Sequence, residues 1–148
     1  MCILNIFQGL FTNKIFLAIF ISLLVAQLIK VHFLVIKQKQ KLHFKDIFLT
    51  GGMPSSHSSA VTALVIMLFL TEGVTSSSII SLVLAAIIIR DAMGVRRTAG
   101  EEGKIINRII KKSKLKIQKV HYSLGHKPKE VLVGIIIGIL TSTIIYFI

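Results

Sequence analysis

Three polar stretches hold the residues whose types and spacing could do chemistry. The first is Thr50-Gly51-Gly52-Met53-Pro54-Ser55-Ser56-His57-Ser58-Ser59. Gly51 and Gly52 let the backbone approach a ligand closely. Pro54 suits the first position of a helix. Ser55, Ser56 and His57 then fill a first turn whose N–H groups lack intrahelical partners. Such a terminus is either a serine-capped helix start or an anion site. The second stretch runs from Arg90-Asp91 through Gly94-Val95-Arg96-Arg97 to Glu101-Glu102. A guanidinium can donate two hydrogen bonds to one oxyanion group, and Asp91 could hold an arginine by an ion pair. Three arginines within eight residues, with an acid and a glycine among them, fit a phosphate site better than the mere end of a helix. The third stretch is Leu124-Gly125-His126-Lys127-Pro128-Lys129-Glu130-Val131. Pro128 reads as the first turn of a helix, with Glu130 near its third position. There Glu130 either caps backbone N–H groups or accepts a hydrogen bond from His126 and fixes its tautomer. A carboxylate–imidazole pair is the usual way to aim a histidine for nucleophilic or base chemistry.

The elements that must position these residues are apolar. Of 148 residues, 53% are hydrophobic and 16% charged, a balance that favours a membrane protein of one domain. A formal charge of +12 would suggest nucleic acid in a soluble protein. Here the basic residues are confined to particular loops, so membrane orientation explains them and no nucleic-acid partner is expected. Cys2 is the single cysteine, which excludes an intramolecular disulfide and a cysteine metal cluster. No histidine set has metal-ligand spacing, so neither metal nor cofactor is expected. The first apolar run lacks a basic n-region and a clear cleavage site and reads as a retained span.

The pattern predicts an all-α integral membrane helical bundle of about four transmembrane helices plus a basic amphipathic cytoplasmic helix. The spans fall at about residues 15–36, 57–74, 76–93 and 130–148, and the amphipathic stretch at 103–121. The second and third runs are short, and two full helices fit them better than a re-entrant hairpin. Lys30, near the end of the first span, is expected to snorkel toward headgroups. His32 reads as interfacial, His43 and His121 as loop residues. Gly134 and Gly138 either admit a neighbouring helix or face lipid.

Lys and Arg number one before the first span, five from Lys30 at its end to Lys45, none in Thr71–Ser77 and twelve from Arg90 at the end of the third span to Lys129. The positive-inside rule then places the basic loops 37–50 and 94–129 in the cytoplasm. His57 and the start of the last span follow them. The three polar stretches thus meet at the cytoplasmic side of a cell membrane. The abundance of Ile and Lys hints at an AT-rich, bacterial genome.

With the three stretches in view, the sequence resembles the acid phosphatase/vanadium-dependent haloperoxidase-related proteins, the divergent branch of the type-2 phosphatidic acid phosphatase superfamily. The resemblance runs from about Gln27 to Gly138. It is carried by Gly51 to Ser58, by Asp91 to Arg97 with Ala99-Gly100-Glu101, and by Leu124 to Val131. It implies that His126 is the nucleophile, Glu130 its orienting acid and His57 the proton donor to the leaving group. The chain departs from the wider superfamily at several points. Ser56 stands where that superfamily has glycine, and Glu130 where it has Asp. No Arg-Pro pair occurs, and no Ser-Arg precedes His126. The phosphate-binding arginines must then come from elsewhere, with Arg96 and Arg97 the candidates and Arg90 behind them. Ser55 and Ser56 would add helix N–H groups, and Asp91, Gly51 and Gly52 support. The resemblance implies metal-independent hydrolysis of a phosphorylated lipid or isoprenoid through a phosphohistidine. The alternative is an anionic-lipid binding or transport protein that keeps the pocket without chemistry. Membrane lipids are the expected partners, and a homo-oligomer is left open.

Overall fold

The computed structural model describes residues 9–38, 52–113, 117–122 and 125–148, with the backbone alone for 34–38. Gly51, the connector 39–50 with His43, and Leu124 lie outside the described residues. Among the described residues, a helical turn at 9–12 is followed by five helices: α1 (Lys14–Gln38), α2 (Ser56–Glu72), α3 (Ser76–Met93), α4 (Val95–Lys112) and α5 (Pro128–Phe147). Among the described residues there is no strand.

Local chemistry sets the helix starts. Asn13 Oδ1 accepts from the Ile15 and Phe16 N–H groups at 2.8 and 3.2 Å and opens α1. Ser55 and Thr75 cap α2 and α3, each accepting from the N–H three residues on. Pro54 therefore lies before the cap and not at the first helical position. The reason is that Ser55 is extended and its N–H donates to Glu130 O on α5 at 3.0 Å, so the helix starts after it.

The bundle packs through small residues. Ala18, Ser22 and Ala26 are buried at four-residue intervals along α1, the spacing of one helix face. They meet α2, where the Ser22 and Ser59 hydroxyls lie 2.5 Å apart. Gly134 and Gly138 of α5 are buried against Ser55 O and Ser59 O, so the two glycines admit α2 and do not face lipid. A Cβ on Gly138 would stand 2.5 Å from Ser59 O. α2 is the central helix, packed on α1, α3 and α5; α1 also packs on α5, while among the described helices α4 meets only α3. Most of the large side chains point outward instead, among them Leu28, Ile80, Ile87, Leu132 and Leu140, while Met67, Leu68 and Ile137 are buried. Small residues between helices and large ones outside is the arrangement of a bundle solvated by lipid. Lys14–Phe33, Ser76–Lys112 and Pro128–Phe147 are each long and apolar enough to cross a membrane, and α2 is a shorter apolar helix.

The amphipathic helix differs from its expected bounds. It starts at Val95 and ends at Lys112. Residues 117–122 then return along it as an extended strap. The Asn107 side chain pairs with the Val120 backbone in both directions, at 2.8 and 2.9 Å. Gly103 lies directly under Tyr122, where a Cβ would come within 2.5 Å of the Tyr122 Cβ. Asn107 is thus spent on holding the strap.

Candidate active site

The three polar stretches meet at one end of the bundle. His126 precedes α5 and is 6% exposed. Its N–H donates to Ala92 O at the end of α3, at 2.9 Å. Gly125 makes this seat possible: a Cβ there would collide with the Arg97 backbone N and lie 2.8 Å from Ala92 O. The ring Nδ1 is 3.2 Å from Glu130 Oε2. The same oxygen accepts from Lys127 N–H at 3.1 Å. Glu130 therefore both caps α5 and faces the imidazole, and the two expected roles are not alternatives.

Burial pushes the His126 pKa below its ordinary value, with the Lys30 charge adding to the effect. The hydrogen bond and charge of Glu130 and a backbone hydrogen bond at Gly52 pull in the opposite direction without cancelling it. The ring is therefore neutral near pH 7, with Nδ1 turned to the carboxylate and Nε2 as the remaining nitrogen. Gly52 adopts φ 87°, a backbone conformation that favours glycine.

His57 lies in the first turn of α2, exposed at the mouth of the site. It is within electrostatic reach of Arg96, His126, Lys30 and Asp91. Asp91 ends α3 and pairs with Arg96 Nε at 2.5 Å. The expected acid–arginine pair is present, and Arg96 is the arginine it holds. Arg97 turns along α4 to Glu101 at 3.2 Å instead. Arg90 is exposed, and its carbonyl accepts the Gly94 N–H. Neither is among the charges that act on the two histidines. Ser56 is buried in the first turn, and the Ser55 hydroxyl is occupied by Ser58 N–H and Oγ.

Lys30 is where the sequence reading fails. It does not snorkel: it is 3% exposed within the bundle. It lies in electrostatic reach of Glu130, His57 and His126. No hydrogen bond or ion pair with a described residue engages its ammonium. The signal was in the sequence, because the buried series Ala18, Ser22, Ala26 continues at the same interval to Lys30. A residue on that face enters the bundle, whatever its length. Holding a charge inside the bundle is costly, and an anionic ligand would offset that cost.

The chain is 37% identical to the uncharacterized membrane protein YuiD of Bacillus subtilis (strain 168), over 93% of this chain and 97% of that one. No solved structure matches it. The Divergent PAP2 family matches residues 11–141. With nearly the whole chain matched, and a relative covered over 97% of its own length that is itself a membrane protein, the chain belongs to the Divergent PAP2 family.

Proposed function

We propose that the protein is an integral membrane phosphatase that hydrolyses a phosphorylated lipid or isoprenoid at the cytoplasmic face. The observation that carries this is the convergence of Lys30, His57, Arg96, His126 and Glu130, from four helices and one helix junction, on the same end of the bundle. His126 Nε2 attacks phosphorus while Nδ1–H donates to Glu130, which stabilises the charge gained by the ring. Lys30 and Arg96 offset charge on the phosphoryl oxygens, the kind of electrostatic term that usually dominates such catalysis. His57 gives a proton to the leaving oxygen as the P–O bond breaks. Water, losing its proton to His57, then attacks the phosphohistidine. Inorganic phosphate leaves, and both histidines return to their first state.

The test is turnover of phosphatidic acid and of a polyprenyl phosphate by the purified protein in detergent. His126→Ala and His57→Ala should each lower kcat by orders of magnitude, and labelled substrate should leave an acid-labile phosphohistidine on the parent protein. Unchanged turnover in folded forms of both variants would sink the proposal. One observation favours a second reading: Arg90 and Arg97 are turned away, so a single arginine, itself paired with Asp91, faces the site. A protein that binds anionic lipid without chemistry would retain affinity for phosphate and form no phosphohistidine.

A further inference from the structure

Helix α4 presents a surface that the proposed chemistry does not use. Among the described helices it meets α3 only, and the strap covers one side of it. Val95, Ile105 and Ile109 are 71%, 53% and 54% exposed. With Ile106 they lie on one side of a helix of about 3.6 residues per turn. The strap beside it carries exposed Ile117 and Val120, and Val120 shares a hollow with Ile106. Lys104, Arg108 and Lys111 occupy the other side, all exposed, with Lys112 following. Glu102 falls within the apolar side and lines a hollow of about 310 Å³ with Arg96, Ile106, Val120, His121 and Tyr122.

We propose that α4 is an interfacial anchor that docks on an anionic lipid surface, that of the membrane its own bundle occupies. Six Lys and Arg against two Glu over Val95–Lys112 call for an anionic counterpart. An apolar side opposite a cationic one is the form of a helix lying in the headgroup layer. Its lysine stems can reach along that layer while the ammonium groups stay wet. Position agrees with charge: α3 passes into α4 at Gly94 with no linker, so α4 begins where an apolar helix ends. Arg96 is on the first turn of the same helix. Docking therefore also sets where that guanidinium stands beside His57. The anchor itself does not depend on the site being hydrolytic.

The test uses the full chain in a Cys2→Ser background, with a polarity-sensitive fluorophore on Ile109→Cys or on Lys104→Cys. The protein is reconstituted in phosphatidylcholine vesicles with and without phosphatidylglycerol. At position 109, phosphatidylglycerol should shift emission to the blue and protect the dye from an aqueous quencher, and high salt should reverse both. At position 104 the dye should stay open to the quencher. Arg108→Glu or Lys111→Glu should lower the docked fraction in anionic vesicles by about fivefold or more per site. Equal quenching at position 109 with and without phosphatidylglycerol would overturn the proposal. So would protection that grows with protein density and comes with cross-linking of position 109 to a second copy, since a protein would then cover the face.

Discussion

Glu130→Gln separates two tasks that converge on one atom. Glu130 Oε2 accepts from Lys127 N–H at 3.1 Å and faces His126 Nδ1 at 3.2 Å. A glutamine carbonyl can still accept both hydrogen bonds, and glutamine serves in a capping box as glutamate does. What is lost is the charge. A hydrogen bond to a charged group contributes about 1.5–3 kcal/mol, against about 0.5–1.5 for a neutral one. The variant should therefore unfold about 1 kcal/mol more easily, a shift of a few degrees in Tm. Turnover should fall far more. As Nε2 bonds to phosphorus, the buried ring becomes cationic, and in the parent protein the carboxylate is its adjacent counter-charge. Loss of the orienting carboxylate of a serine-protease triad lowers kcat about 10⁴-fold, and a fall on the order of 10³-fold or more is expected here, with KM little changed. The assay is steady-state hydrolysis of phosphatidic acid in mixed micelles, paired with thermal unfolding in the same detergent. Glu130→Ala should match the loss of turnover and add the loss of the cap, about 1 kcal/mol. A folded Glu130→Gln protein with parental kcat would refute the reasoning and leave Glu130 as a helix cap alone.

Three further outcomes are expected. Because burial lowers the His126 pKa, the ring stays neutral below its ordinary value of 6.5, so the acid limb of kcat/KM should lie below that pH. The unfolded chain takes the proton first. The stability tied to this ring is thus present above pH 6.5 and is lost as pH falls through the folded value; a limb above 6.5 that disappears in Glu130→Gln would contradict this. Gly138→Ala puts a methyl 2.5 Å from Ser59 O and should cost about 1–3 kcal/mol in detergent unfolding as α2 and α5 separate. Lys30→Met should fold at least as well as the parent, since it removes a charge from the bundle interior, yet weaken competitive inhibition by inorganic phosphate about tenfold or more; parental inhibition would remove Lys30 from the site.

Local chemistry was largely legible from residue order. The helix start at Pro128, the position of Glu130 within it and the serine cap before His57 all follow from side chains that bond backbone groups within one turn. Asp91 was identifiable as an anchor for an arginine, but not for which one. Arg96 and Arg97 are neighbours in sequence and point about 100° apart on a helix, so Asp91 takes the first and Glu101 the second. That choice depends on where α4 starts, which residue types leave open by a position or two. The placement of Pro54 slipped for a related reason: its neighbour Ser55 is held extended by a bond from α5, far along the chain.

The sequence by itself determined that the chain is an apolar helical bundle with its polar groups gathered in three stretches, because charge and hydropathy are local properties and lipid sorts them directly. Only the tertiary structure decided which polar groups share a space. Lys30 became part of the site because α1 packs on its small-residue face and that face carries Lys30 inward. His126 is seated because Gly125 lets its backbone reach Ala92, and Ser55 is tied to Glu130 because Gly134 lets α2 and α5 touch. Each of these depends on close approach between segments distant in sequence, where the presence or absence of one Cβ sets how near two backbones can come.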